Sequence, residues 1–393
     1  MSGQICAINM FSLCNTTLTR PICLSMIVRD EAKTIARCLS SIRPYITHWA
    51  IVDTGSQDET IKIVHDTLQG IPGLLSQRPW ADDFALHRNQ AVNLARAVVG
   101  DDHANLLFVD ADETVIVRDP DAWRARIDVP TIRHWWAVDE DWHFRKLVIA
   151  PFESIAAWAG ARHEYLICDT ATSGEPREAE DSAYVLYGHD GYRHRQDGVW
   201  VADLSHLEAS TMKPGGFRER YFSALTLESR RNLAAAAAMF ELSADAALAE
   251  ECEVDDVWQS YWGAGRCLIE LNEVRAEQHF RAALNLDSSR AEPVLELAVI
   301  ARHRGQFDVA IELSRQAMAS VLPVWTSMYD ASAYGWRAVD ELCSAACEAS
   351  RIDQMIEAAA AYERILRLRS APAEELPRIA ENLALIRYRM GEP

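Results

Sequence analysis

The segment Asp110-Ala111-Asp112-Glu113 follows an apolar run, Leu106 to Val109. Such a run reads as a buried strand, so the acids stand at a strand end. Two carboxylates two residues apart can face one ligand there if the backbone turns. Oxygen donors of this kind suit Mg²⁺ or Mn²⁺, which keep coordination positions for phosphate oxygens. A second strand end carries Val52-Asp53-Thr54-Gly55-Ser56-Gln57-Asp58-Glu59-Thr60. Gly55 permits a tight turn, and Ser56 or Asp58 can cap the following helix. Asp53 at the strand tip can accept from a ribose or base, or simply close the turn.

Three further clusters carry titratable groups. Trp80-Ala81-Asp82-Asp83-Phe84 precedes His87-Arg88-Asn89. Its acids can cap a helix and pair with Arg88, or accept from a base N–H while Arg88 approaches a diphosphate. Trp158-Ala159-Gly160-Ala161-Arg162-His163-Glu164-Tyr165 offers His163 and Glu164 as a general base, or an ordinary loop acid. His189-Asp190-Gly191-Tyr192 supplies a metal or phosphate ligand, or a turn. No GxSxG, Walker loop or GxGxxG is present.

The elements that must position these groups alternate. Ile22 to Val28 and Trp49 to Val52 read as strands. Glu31 to Ile42, Thr60 to Leu68 and His87 to Val99 have helical spacing. This β-α-β-α order predicts an α/β fold with a mostly parallel sheet and ligands at the strand C-termini. After Val115 the chain reads as irregular and aromatic, with a surface loop over Asp169 to Asp181. Glu208 to Gly216 reads as the loop that ends the domain. From Phe217 an all-helical region is expected. Ala276, Phe280 and Ala283 recur in kind as Ala310, Ser314 and Ala317 after 34 residues, the tetratricopeptide period. A looser pair spans Tyr334 to Arg369, and Pro377 to Met390 caps the stack. The resulting division is an extension over 1–20, a catalytic domain over 21–216 and a helical domain over 217–393.

Composition sets the outer bounds. The 393 residues include 58 acids against 39 Lys and Arg, a net charge of −19 shared by both halves. That disfavours nucleic acid and anionic membranes as partners. Ten of the twelve histidines precede Gly216, which directs the search for titratable chemistry to the first half. Nine scattered cysteines without a CxxC point to a reducing compartment. The N-terminus lacks a basic n-region and no apolar run has membrane-span length, so a cytoplasmic location is expected.

In order, these pieces resemble family 2 glycosyltransferases of the GT-A fold. The matching stretches are Leu24 to Glu31, Val52 to Thr60, Asp82-Asp83-Phe84 with Arg88-Asn89, Asp110-Ala111-Asp112, and Gly160 to Glu164. The resemblance is closest to bacterial members that attach tetratricopeptide-like helices after the catalytic domain. It implies an enzyme, a hexosyltransferase using a nucleotide sugar, with UDP contacted by Asp30, Asp53, Asp83, Arg88 and Asp110. Asp112, with Asp110 and His189, would hold Mn²⁺ or Mg²⁺. Glu164, beside His163, would be the base of an inverting transfer to a peptide, protein or glycan acceptor. The family usually has Asn where this chain has Asp30. An insertion between Tyr192 and Arg231 leaves His194 and His206 as alternatives to His189. Readings from other classes are a catalytically inactive tetratricopeptide scaffold and a nucleotidyltransferase, which would need a Gly-rich loop that is not visible.

Overall fold

The run Ile22–Val28 forms β1, buried at nearly every position. Burial on both faces is what a central parallel strand requires. The computed structural model describes residues 20–100, 103–127, 129–169, 179–196, 201, 203–205, 216–322 and 326–391. α1 (Ile35–Ile42) turns Ile35, Cys38, Leu39 and Ile42 inward, the face its spacing predicts. β2 (His48–Asp53), α2 (Thr60–Thr67), β3 (Gly73–Gln77), α3 (Phe84–Val99) and β4 (Asn105–Leu107) complete the alternating unit. These strands are parallel in the order β3-β2-β1-β4. The loops leaving β1, β2 and β4 therefore share one edge.

Expected as irregular beyond Val115, the chain instead extends the sheet. β5 (Thr114–Val117), α4 (Pro120–Ile127), β6 (Arg133–Asp139) and β7 (Trp142–Pro151) come next. A separate hairpin of β8 (Ile155–Ala159) and β9 (Tyr165–Cys168) follows, then β10 (Ala179–Leu186). The full order is β3-β2-β1-β4-β7-β6-β10-β5. β7 runs antiparallel to β4 and β6, and β5 antiparallel to β10. The sheet is thus mixed, not mostly parallel, because the β6–β7 hairpin reverses the chain. Adjacent tryptophans conceal this in the sequence. Trp135 enters the core while Trp136 lies on the other face, so no apolar–polar alternation is legible. The start of β10 at Ala179 also shortens the expected Asp169–Asp181 loop; 170–178 fall outside the described residues. So do 1–19, His206 and 208–215 of the loop ending at Gly216.

From Phe217 the chain is helical: α5 (Phe217–Ser229), α6 (Leu233–Ala249), α7 (Val254–Leu268), α8 (Glu273–Leu286), α9 (Ala291–His303) and α10 (Phe307–Ala319). After a short strand, β11 (Met328–Asp330), come α11 (Trp336–Glu348), α12 (Ile352–Leu368) and α13 (Leu376–Met390). Successive helices pack side by side. Ala276, Phe280 and Ala283 on α8 are fully buried, as are Ala310, Ser314 and Ala317 on α10, so the 34-residue repeat marks equivalent crossings. Gly265 on α7 lets Phe280 approach: a Cβ there would lie 2.5 Å from the ring.

The two regions are joined through the sheet. β11 pairs antiparallel with the start of β7. Arg145 N donates to Ser327 O and Ala331 N to Asp141 O, both at 2.7 Å. Behind the strand, buried Arg290 lies 3.5 Å over the Trp258 ring and bonds Glu292, Thr326 and the Met328 carbonyl. Among the described residues no helix is long and apolar enough to cross a membrane.

Candidate functional site

The loops after β1 and β2 are stitched together at the common strand edge. Asp30 N donates to Ser56 Oγ (2.9 Å), and Gln57 N donates to Asp30 Oδ1 (2.6 Å). Glu31 N donates to Thr60 Oγ1 (2.7 Å), and Ala32 N to Asp58 Oδ2 (3.1 Å). Asp53 is fully buried, and its carboxylate accepts from Gly55 and Ser56 N–H at 3.2 Å. This corrects the expectation for Asp53: its carboxylate closes the turn and is not presented to a base or ribose. Asp30 likewise spends one carboxylate oxygen on the neighbouring loop.

Above them runs a chain of alternating charge. Glu113, with no exposure, accepts from Asp110 N (2.8 Å) and from Lys146 Nζ (2.6 Å). Lys146 reaches the other way to Asp110 Oδ2 (2.6 Å). Arg88 takes Asp110 Oδ1 (2.8 Å) and Glu164 Oε1 (2.5 Å), and it lies 5.1 Å over the Trp158 ring. Burial opposes ionisation of Asp110, but Lys146 and Arg88 hold its carboxyl well below the usual range. Burial pushes Glu113 up. Both oxygens of Asp110 are therefore taken by cations, which corrects its assignment as a metal ligand. Lys146 was missed in the sequence. Its signal is a lone ammonium on the strand face that also carries Trp135 and Ala137.

Asp112 has a different setting. Gly188 and Gly191 close around it: Cβ atoms there would lie 2.1 Å from Asp112 O and 2.4 Å from Asp112 Oδ2. Arg37 donates to Asp112 O (2.7 Å) and grips Asp190 through both terminal nitrogens (2.9 and 2.8 Å). Burial, then the Asp110 charge, raises the Asp112 carboxyl. Glu31 Oε1 accepts from Tyr192 N (2.7 Å), and Arg195 donates to Asp30 O (2.7 Å). The β10 loop is thereby anchored to the β1 loop. His194 is the histidine whose charge Asp112 favours, although burial lowers its pKa. His189 Nε2 bonds Asp139 Oδ1 (2.8 Å), so that nitrogen of the expected metal ligand is already engaged. Among the described residues, no three His, Cys, Asp or Glu side chains form a metal cage. A carboxylate such as Asp112, joined by phosphate oxygens, is the kind of donor set that Mg²⁺ or Mn²⁺ takes.

The last expected residues divide between two tasks. Asp83 caps α3, accepting from Leu86 N (2.9 Å). Asp82 pairs with Arg162 (2.5 Å), which also holds Asp203 (2.8 Å), so this acid pair does not engage Arg88. Glu164 faces Arg88. His163, at φ +48°, turns the opposite way and stacks on Phe222 of α5, ring centroids 4.3 Å apart. Packing lowers its pKa and favours the neutral ring. The structure thus places His163 at the seam with the helical region, away from Glu164.

No protein-family profile matches the chain. A TPR repeat-containing protein of Synechococcus elongatus is 38% identical over 112 residues, covering 28% of this chain and 25% of that protein. The chain thus spans a quarter of the length of this curated relative. It is also similar to a tetratricopeptide repeat protein from Parabacteroides merdae: 12% identity, 50% of this chain, 68% of that one, TM-score 0.36. A thermophilic TPR protein of Thermus thermophilus matches with 17% identity, 48% and 92% coverage, and TM-score 0.33. The chain is a mixed-sheet region followed by a helical repeat region resembling tetratricopeptide repeats.

Proposed function

We propose that the sheet region is a GT-A glycosyltransferase domain that transfers a sugar from a nucleotide sugar, a UDP-sugar, to an acceptor. The observation that carries this reading is the bridge Arg88 makes between Asp110 and Glu164, with Asp112 two residues further along the same loop, beside the C-terminal edge of the parallel strands. Open α/β sheets bind ligands at that edge. The diphosphate faces a strongly acidic chain, and Arg88, Arg37 and Arg195 supply local positive charge. Mn²⁺ or Mg²⁺ at Asp112 would offset charge developing on the leaving diphosphate. Glu164 would take the proton from the acceptor hydroxyl or thiol while the acceptor oxygen or sulfur attacks the anomeric carbon and the C–O bond to the diphosphate breaks. For that, Arg88 must exchange Glu164 for a phosphate oxygen. The helical stack offers an extended surface suited to a peptide or protein acceptor. A glycan acceptor is the alternative.

One observation favours a second reading, a nucleotide-binding scaffold without turnover: Arg88 already neutralises Glu164. Turnover of a UDP-sugar panel with Mn²⁺, in the wild type and in Asp112→Ala and Glu164→Gln, separates the two. The transferase reading expects turnover lost in both variants, with UDP binding kept in Glu164→Gln. Metal-dependent UDP binding without turnover supports the scaffold. Neither binding nor turnover overturns both.

A further inference from the structure

A cavity of about 220 Å³ lies at the seam of the two regions, lined by Arg118, Trp136, Val138, His143, Ala183, Tyr184, Leu322 and Tyr329. Trp136, Val138 and His143 occupy alternating, paired positions of β6 and β7. The pleat therefore points them to the face opposite Trp135, Ala137 and Lys146. The cavity is thus separate from the Asp110–Lys146 cluster, and nothing in the proposed transfer uses it.

Its chemistry is specific. Trp136 and Tyr329 meet edge to face, at 85° with centroids 5.0 Å apart, so they form two walls at right angles. Tyr184 makes a third wall, and the Arg118 guanidinium lies 4.5 Å over its ring. Among the described residues Arg118 makes no side-chain hydrogen bond or ion pair, and it is exposed at the mouth. His143 Nδ1 and Tyr329 Oη share a 2.7 Å hydrogen bond, and burial, followed by the Arg118 charge, lowers the imidazole pKa. In a chain of net charge −19, none of the eight lining residues is an acid.

We propose that this cavity binds a small aromatic carboxylate. The ring would lie in the corner where Trp136 and Tyr329 meet, against Tyr184, in the edge-to-face arrangement aromatic groups prefer. The carboxylate would take the N–H edges that the stacked Arg118 leaves open. A cavity of about 150 Å³ holds benzene, so this one has room for one substituted ring and not for a nucleotide. Because Leu322 and Tyr329 come from the helical region and the other walls from the sheet, an occupant would touch both.

Calorimetry on the full chain tests the site, with 4-hydroxybenzoate as probe, phenol as its neutral counterpart and glucuronate as a non-aromatic ring acid. The expected result is one-to-one binding of 4-hydroxybenzoate. Arg118→Gln should weaken it about 10- to 100-fold, the loss of a charge-assisted contact. Phenol should bind at least 10-fold more weakly. Leu322→Trp, a rim change that fills the cavity, should abolish binding, while thermal melting confirms that both variants fold. UDP binding should stay within twofold in both, since the cavity lies on the other face. Absence of saturable binding, or equal affinity in Arg118→Gln, overturns the site. Tighter binding of glucuronate overturns its aromatic class.

Discussion

The sheet region and the helical region bury polar groups by opposite means. In the helical region, small residues repeat at a fixed interval, and neighbours such as Gly265 and Phe280 bring helices together. Two of its buried charges, Arg290 and Glu292, pair two positions apart in sequence. In the sheet region the chain Glu113–Lys146–Asp110–Arg88–Glu164 draws partners from α3, the loop after β4, β7 and the β8–β9 loop. A repeat can be specified by local spacing. A site has to be specified by pairs that only the fold makes adjacent.

The largest expected effect comes from cutting that chain. Lys146→Met leaves Asp110 and Glu113 facing each other without their shared cation. Removing one member of a buried ion pair costs about 3–5 kcal/mol. Urea unfolding should register a loss of that size, and Lys146→Arg should recover part of it. If Lys146→Met were neutral, the sheet region would be held by packing alone, like its neighbour, and the contrast would fail.

The same contrast explains what the sequence made legible. Ala276, Phe280 and Ala283 with their counterparts 34 residues on disclosed the helical stack, because periodicity is local. The strands β1 and β2 and their loops were legible for the same reason. Asp112, Arg88 and Glu164 were singled out by motif, but the partners the fold gives them were not. Asp53 has the same letters whether it faces a ligand or closes its own turn, and burial decides between them. Lys146 lies 36 residues from Asp110, beyond any helix or strand period. His163 and Glu164 are adjacent in sequence, yet a left-handed backbone at His163 sends one to Phe222 and the other to Arg88.

A smaller effect is expected from the helical side. In Gly265→Ala the new methyl would sit 2.5 Å from the Phe280 ring, forcing the helices apart. Overpacking of this kind costs about 1–3 kcal/mol. Thermal unfolding should show the loss, while UDP binding should remain at the wild-type level. A loss of UDP binding in Gly265→Ala would show that the regions do not divide the work.

Next in size is a pH effect confined to the sheet. His134 on β6 has a buried Nδ1 without a partner, and burial, then Arg145, lowers its pKa to about 4. The unfolded chain, with an ordinary imidazole near 6.5, binds more protons between those values. Stability therefore rises with pH through that window and falls as pH drops from about 6.5 towards 4. Partial exposure reduces the contribution to about 1–2 kcal/mol. Urea midpoints at pH 7 and pH 4.5 should differ less in His134→Gln than in the wild type. An unchanged difference would remove His134 from the account.

The smallest effect on stability, and the sharpest on function, is expected at Gly191. This glycine folds the β10 loop over Asp112, and a Cβ would meet Asp112 Oδ2 at 2.4 Å. The clash is with the end of a side chain that can rotate, so Gly191→Ala should cost under about 1 kcal/mol. Rotation, however, moves the Asp112 carboxylate, the proposed metal ligand. Metal-dependent UDP affinity should therefore fall about 10-fold or more, while metal-independent affinity and the unfolding midpoint barely move. Lys146→Met predicts the reverse emphasis, a large loss of stability. Equal loss of both properties in Gly191→Ala would mean that the loop supports the fold and not the metal, and the boundary between scaffold and site would have to be redrawn inside the sheet region itself.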